Sequence, residues 1–250
     1  MQRFPREFSD LLSPAGLRIL KGTSPNNRNL FKGGRAYFAN FPNLIKRDQV
    51  DTCMRLLDKN LYPYLSLEQR GIPRETITKM KENYEERLNK TMHIKTAFFR
   101  RKDARSYRAA EGIGLLQFMR SESFVAFAES VTGFKLQRDW SIQATCYEHG
   151  DYAGPHNDHH PEQESFRDGF IDVHVMFANN AVDHHYLVYE QKGHFSKIVD
   201  INTRGGVSVY KLPFWHYTTP LAGKAGRETE ARRWLLLGTF EIDREQRRRT

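Results

Sequence analysis

The sequence predicts an α+β protein in which helices come first and a β-sandwich or barrel follows. Apolar residues recur at helical spacing up to about residue 130. From Trp140 onward, short runs rich in β-branched and aromatic residues follow one another, separated by Gly, Pro, Asn and Asp. Because no linker or repeat divides the chain, we expect one domain over 1–250, with 1–130 as a mainly helical buttress, 131–243 as the β core and 244–250 as a basic tail.

The helices are predicted from apolar stripes and from residues that start or stop a helix. The first begins at Asp48 as N-cap and ends before Pro63, with a stripe of Val50, Cys53, Met54, Leu57 and Leu61. The second begins near Pro73, with a stripe of Ile77, Met80, Tyr84 and Leu88. Two more occupy AAEGIGLLQFM (109–119) and ESFVAFAESVTGF (122–134), the latter with Ser123 as cap and Gly133 as stop.

Six segments of the second half are predicted to be strands. They are WSIQATCY (140–147), FIDVHVMFA (170–178), HYLVYE (185–190), KIVDI (197–201), GVSVYKL (206–212) and RRWLLLGTFEI (232–242). Short strands at this spacing favour a sandwich or barrel over a parallel sheet with crossover helices.

The net charge of +9 comes entirely from the first half of the chain. Residues 1–130 hold 24 Lys and Arg against 14 Asp and Glu, whereas residues 131–250 hold 15 against 16. One interpretation is a solvated basic surface, and the other is a surface for an acidic partner such as nucleic acid. No nucleic-acid-binding motif accompanies the charge.

The compartment is inferred from what the sequence lacks. It contains no apolar run of about eighteen residues, so we expect no membrane span. The N-terminus lacks the apolar core of a secretory signal, and Cys53 and Cys146 are too few for a disulfide framework. We therefore expect a cytoplasmic protein. No feature of the sequence predicts its oligomeric state.

Two histidines and a carboxylate are the candidate metal ligands. His156 and Asp158 stand two residues apart after a strand-like run, and His216 lies between the last two predicted strands. Iron that reacts with dioxygen needs few protein ligands, and two histidines with one carboxylate leave coordination positions open. The alternative is a zinc pair of His156 and His160 on a helix, but the neighbouring Pro155 and Pro161 argue against a helix.

The ordered set of Tyr147, His156-x-Asp158, His216 and Arg233 resembles the Fe(II)- and 2-oxoglutarate-dependent dioxygenases, in particular their prolyl-hydroxylase-like branch. CYEHGDYAGPHND resembles the metal-binding turn of that branch, FANN (177–180) its aromatic strand end, and HYTTPLAGKAGRETEARRW its last motif. The resemblance implies a double-stranded β-helix (jelly-roll, cupin-like) core with the N-terminal helices packed on it. It also implies Fe(II) held by the three ligands, 2-oxoglutarate as co-substrate and dioxygen as reactant.

Arg232 and Arg233 compete for the distal carboxylate of 2-oxoglutarate. A guanidinium fork binds a carboxylate bidentately, and strand alternation lets only one of the two side chains face the pocket. We favour Arg233, which precedes an aromatic residue as in the family, and we expect the Tyr147 hydroxyl to donate to the same carboxylate. The chain departs from the family where VDHHYLVYEQKG replaces the usual Gly-Gly-x-Leu segment, and the spacing of 17 positions between His216 and Arg233 is long.

The remaining histidines and aromatics receive simpler interpretations. We expect His174 to be a satisfied strand residue. His184, His185 and His194 fall in a polar region between strands, where we expect them to face solvent. Trp215 and Tyr152 adjoin the ligands and are either packing residues or part of the substrate mouth.

The leading functional hypothesis is hydroxylation of an unactivated C–H of a protein side chain or small molecule, with succinate and CO2 as co-products. Two alternatives are a non-enzymatic β-barrel binding module and a basic nucleic-acid-associated protein, including a nucleic-acid demethylase.

Overall fold

Two layers of antiparallel strands, with helices packed on the outer face of the larger sheet, make up the fold. The computed structural model describes residues 2–34, 36–71, 91–158 and 169–243. The second predicted helix, His159, His160 and the basic tail lie outside these residues. The single domain therefore remains a prediction.

The helices of the described residues lie mainly in the first half of the chain. The α-helices are α1 Pro14–Leu20, α2 Arg47–Asn60, α3 Arg105–Gly112, α4 Leu115–Met119 and α5 Glu122–Thr132. Short 3-10 helices occupy Phe8–Leu11, Pro25–Asn27, Lys32–Gly34, Tyr62–Tyr64 and Glu228–Glu230.

The strands are β1 Phe38–Phe41, β2 Ser66–Arg70, β3 Met92–Phe98, β4 Ser141–Glu148, β5 Tyr152–Ala153, β6 Phe170–Ala178, β7 Val182–His184, β8 Tyr186–Gln191, β9 His194–Asp200, β10 Gly206–Lys211, β11 His216–Thr218, β12 Ala222–Gly223 and β13 Arg232–Glu241. The larger sheet has the order β1-β10-β6-β13-β4-β3-β2, and β5 pairs with β3. The smaller sheets are β11-β8-β9 and β12-β7. Every predicted strand is present. The first half also supplies β1, β2 and β3 to the larger sheet, which the sequence analysis did not predict.

The two faces of the larger sheet bury different residues because side chains alternate along each strand. On β6, Val173, Val175 and Phe177 belong to the core that the helices cover, whereas Met176 belongs to a second core that β8 covers. On β13, Trp234 faces the helices and Leu235 faces the smaller sheet. The space between the sheets is therefore where the even positions of β6 and the odd positions of β13 meet.

Three predicted helix signals need correction. Asp48 lies in the first turn of α2 rather than at its N-cap, which is Lys46; an acidic side chain is favourable at both places because of the helix dipole. The N-cap of α5 is Ser121 rather than Ser123, whose hydroxyl donates to Glu7 at 2.6 Å. The predicted third helix is split into α3 and α4.

Glycines account for both interruptions in this part of the chain. Gly114 has φ 78° at the N-cap of α4, and this left-handed conformation cannot continue α3. Gly133 has φ 80° and ends α5 as predicted. Among the described residues, no helix is both long and apolar enough to span a membrane.

Candidate active site

The two histidines of the candidate metal centre are held opposite each other by the backbone. His156 N donates to His216 O at 2.9 Å and His216 N donates to His156 O at 2.8 Å, which forms an isolated antiparallel bridge. The imidazole centroids lie 4.2 Å apart. The structure thus brings together two side chains that are 60 positions apart in the sequence.

Each imidazole is oriented by a carbonyl two residues earlier. Nδ1 of His156 lies 2.6 Å from Gly154 O, and Nδ1 of His216 lies 2.7 Å from Phe214 O. A carbonyl only accepts, so each Nδ1 carries the proton and each Nε2 presents a lone pair. This is the arrangement that metal-binding histidines adopt when the second nitrogen is fixed by a hydrogen bond.

Asp158 completes the set from the same turn as His156. Its backbone has φ 53°, a left-handed conformation that aspartate adopts more readily than most residues. Its Oδ2 lies 3.4 Å from His156 Nε2 and 3.9 Å from His216 Nε2. These three residues are the one group of three or more His, Cys, Asp or Glu ligands found in the described part of the chain, with donor atoms within 4.8 Å of one another.

The donor set fits a metal ion with open coordination positions. Bonds of about 2.1 Å at right angles place neighbouring donors about 3 Å apart, so the two distances from Asp158 to the histidines need a contraction of about 1 Å or less. Both histidines are buried, whereas the Asp158 side chain is 27% exposed, so the centre opens toward solvent on the carboxylate side. His160, the second member of the alternative zinc pair, lies outside the described residues.

Arg232 and Arg233 point to opposite faces of the larger sheet, as strand alternation predicts. Arg232 lies on the helix side, where it contacts Glu148 and Asp58 and stacks over the ring of Tyr62 at 4.1 Å. Arg233 is 2% exposed on the interior side. Only Arg233 can therefore meet a ligand in the interior.

The buried guanidinium of Arg233 has no carboxylate partner among the described residues. Its Nε donates to Ile201 O at 3.0 Å, and its guanidinium carbon lies 5.6 Å from the ring centroid of Tyr147. Burial lowers the pKa of Arg233 to about 10, although Tyr147, the charge of Asp200 and Tyr210 partly offset this. A buried cation of this kind is costly unless an anion joins it.

Tyr147 links the guanidinium to the metal centre. It pairs with Arg233 in the register of β4 and β13, and it is buried. Burial raises the pKa of Tyr147, the charge of Arg233 opposes the rise, and the charge of Asp158 adds to it. Tyr147 is the strand neighbour of Arg233 and also has a side-chain hydrogen bond with Thr218, which lies on β11 two positions after His216, so the guanidinium and the candidate metal centre face one interior.

Two interior residues were given no part in the predicted site. Tyr210 is buried, its ring lies 5.3 Å from that of His216, and its hydroxyl lies 2.9 Å from His174 Nε2. His174 is thus a satisfied strand residue, as predicted, and burial lowers its pKa to about 3.

The expectation that His185 faces solvent is wrong. Its side chain is completely buried and its ring lies 4.8 Å from that of Tyr147. The neighbouring His184 is half-exposed and His194 is exposed, as expected. The sequence contained a signal for this burial. His185 stands two positions before the buried Leu187 of β8, and residues two apart in an extended chain share a face.

The two candidate mouth residues lie at the surface. Trp215 is 38% exposed and directly precedes His216. Tyr152 lines a cavity of about 410 Å³ together with Met92, His93 and His149.

Solved structures of known proteins share this architecture. An oxidoreductase of the 2OG-Fe(II) oxygenase family from Burkholderia pseudomallei superposes with a TM-score of 0.55 at 12% identity, covering 96% of this chain and 94% of that one. A prolyl hydroxylase in complex with a hypoxia inducible factor peptide fragment, from Trichoplax adhaerens, gives 0.53 at 12% identity over 94% and 96%. The chain has the 2-oxoglutarate–Fe(II) oxygenase fold.

A third similar structure is the non-heme alpha ketoglutarate dependent epimerase SnoN of nogalamycin biosynthesis, with a TM-score of 0.51 at 10% identity over 92% of this chain and 82% of that one. The jelly-roll fold class predicted from the sequence is confirmed, and the resemblance to the prolyl-hydroxylase-like branch holds at the level of the fold. No family model matches the sequence, and no curated protein matches it.

Proposed function

We propose that the protein is an Fe(II)- and 2-oxoglutarate-dependent oxygenase that hydroxylates an unactivated C–H. The observation that carries this proposal is one interior containing both the His156, Asp158 and His216 donor set and the buried, unpaired Arg233. A metal site alone would fit many proteins. A cation placed behind it fits a co-substrate that chelates a metal at one end and carries a carboxylate at the other.

The chain's residues would act by binding and orientation. His156, Asp158 and His216 would hold Fe(II), which when bound supplies the activation of dioxygen. Arg233 would bind the distal carboxylate of 2-oxoglutarate, and the Tyr147 hydroxyl would donate to the same group. Overall, R–H, 2-oxoglutarate and O2 would give R–OH, succinate and CO2, with one oxygen atom in R–OH and the other in succinate.

The substrate is proposed to be a protein side chain or a small molecule. Among the similar structures, one prolyl hydroxylase holds a peptide fragment and the epimerase SnoN holds nogalamycin RO, so the fold itself accommodates both classes. The exposed ring of Trp215 beside His216 supports a substrate mouth on this side of the metal centre. No observation on the described residues favours the nucleic-acid hypothesis or the non-enzymatic module.

The proposal is tested by reconstituting the protein with Fe(II) and 2-oxoglutarate without oxygen. We expect a weak visible charge-transfer band, followed by slow succinate release when air is admitted without substrate. His156→Ala and Asp158→Ala should abolish both signals, and His194→Ala, on an exposed strand, should leave both unchanged. Full succinate release by either ligand variant, or no 2-oxoglutarate-dependent signal from the unmodified protein, would disprove the proposal.

A further inference from the structure

The interior around Arg233 contains a histidine that is not part of the candidate metal centre. His185 lies between β7 and β8, on the opposite side of the interior from β13. Ile201 joins the two sides, because its N–H donates to His185 O at 2.9 Å and its carbonyl accepts from Arg233 Nε at 3.0 Å. Ile201 therefore links the backbone of His185 to the side chain of Arg233 by two hydrogen bonds.

The imidazole of His185 is buried and makes no well-formed hydrogen bond among the described residues. The backbone of Thr219 acts on the ring as a hydrogen-bond partner and raises its pKa, but burial and the charge of Arg233 lower the pKa by more. Leaving a buried polar group without a well-formed hydrogen bond costs free energy. A ligand that accepted a hydrogen bond from the ring would remove this cost.

The charge and chemistry of the pocket indicate what that ligand is. Burial and the positive charge of Arg233 lower the pKa of His185 well below its ordinary value, so the ring is neutral near pH 7. A neutral imidazole has one N–H to donate. One cation and two neutral donors, the Tyr147 hydroxyl and the imidazole, match a single carboxylate, which accepts several hydrogen bonds.

We propose that the imidazole of His185 donates a hydrogen bond to the carboxylate that Arg233 binds, and so helps the site select a dicarboxylate co-substrate. This inference rests on the proposed function, since it assigns one more donor to the same pocket. Arg233 supplies the charge, while Tyr147 and His185 enclose the carboxylate from two further directions. A monocarboxylate that only chelates the metal would not reach His185.

The test measures binding to the full-length Mn(II)-loaded protein by isothermal titration calorimetry. The two probes are 2-oxoglutarate and 2-oxobutyrate, which lacks the distal carboxylate. We expect His185→Leu to weaken 2-oxoglutarate binding about 10- to 100-fold, the usual effect of losing a hydrogen bond to a charged group, and to leave 2-oxobutyrate binding unchanged. His185→Gln, which keeps an N–H donor, should recover part of the loss, and the half-exposed neighbour His184→Leu serves as the matched control.

The outcomes separate this inference from the proposed function. If the unmodified protein binds 2-oxoglutarate no more tightly than 2-oxobutyrate, the proposed function and the inference both fail. If it prefers 2-oxoglutarate but His185→Leu binds it within about twofold of the unmodified protein, only the inference fails.

A second measurement needs no substitution. In long-range 1H–15N spectra of the unmodified protein, 2-oxoglutarate should shift the His185 imidazole signals and slow exchange of its N–H proton, whereas 2-oxobutyrate should not. Unchanged His185 signals at saturating 2-oxoglutarate would overturn the inference even if a variant failed to fold.

Discussion

Replacing Arg233 with methionine should stabilise the protein without ligand and remove its affinity for 2-oxoglutarate. Burial lowers the pKa of Arg233 by more than two units from its ordinary value, to about 10. Each pKa unit corresponds to about 1.4 kcal/mol, so keeping the buried side chain protonated costs on the order of 3 kcal/mol. Methionine has a similar shape and no charge, but it loses the hydrogen bond to Ile201 O, which is worth about 1 kcal/mol. The net expected gain is about 2 kcal/mol.

The sign of this effect follows from the proton balance. Below pH 10 the guanidinium is protonated in both the folded and the unfolded chain, so the full cost is present at neutral pH. Above pH 10, up to the ordinary pKa of arginine, the unfolded chain binds more protons than the folded chain, so the stability of the unmodified protein should rise with pH there. The two proteins therefore differ most at pH 7.

Urea denaturation at pH 7, without metal or 2-oxoglutarate, measures the difference directly. For a chain of this size, 2 kcal/mol corresponds to a rise in Tm of roughly 4–8 °C. Arg232→Met is the matched control, because Arg232 contacts Glu148 and Asp58 on the other face and its loss should lower stability by about 1 kcal/mol. An Arg233→Met protein that is less stable than the unmodified one would refute the reasoning, as would one that still binds 2-oxoglutarate with full affinity.

Three further predictions concern the candidate metal centre, the contacts of Glu148 on the helix side of the sheet and the turn before His156. Asp158→Ala should abolish Mn(II) binding in calorimetry, whereas His194→Ala should bind Mn(II) normally; retained binding by the former would contradict the ligand assignment. Burial raises the pKa of Glu148, but hydrogen bonds from Lys95 and Tyr62 outweigh it and hold the pKa below its ordinary 4.5. The stability that Glu148 provides is present above pH 4.5 and is lost as the pH falls through its folded pKa, so Glu148→Gln should flatten the acid limb of a pH–stability curve, and an unchanged limb would count against this. Gly154→Ala should destabilise the protein by about 2 kcal/mol in urea titrations. The reason is that the new Cβ would lie 2.9 Å from Thr91 O, beside the turn that carries His156 and Asp158. An unchanged midpoint would show that the turn can shift.

The strands and the candidate metal ligands could be predicted because each has a local signal. Runs rich in β-branched and aromatic residues identified β6, β8, β10 and β13, and strand alternation separated Arg232 from Arg233. The convergence of His156 and His216 has no local signal, since it depends on two backbone hydrogen bonds between segments 60 positions apart. This convergence was predicted only because the motifs follow the same order in this sequence as in the family that it resembles.

His185 could not be placed from the surrounding composition. It follows Asp183 and His184, which are exposed or half-exposed, and such a polar run is typical of a loop. Composition averages over neighbours, whereas burial in a strand changes at every residue. The expectation of a solvent-facing histidine therefore failed at the one position of the run that turns inward.

The interior between the sheets places polar groups where a folding protein gains most from apolar ones. Arg233 carries a buried charge with no ion pair among the described residues, and His185 makes no well-formed hydrogen bond there. These two polar residues do not stabilise the fold, whereas apolar residues such as Met176 and Leu235 pack the neighbouring positions of the same face. A carboxylate bound among these groups would remove both costs at once, so relief of this unfavourable burial would contribute to the affinity for an anion. A dicarboxylate that also reaches the His156, Asp158 and His216 donors would use this affinity to orient its other end at the metal.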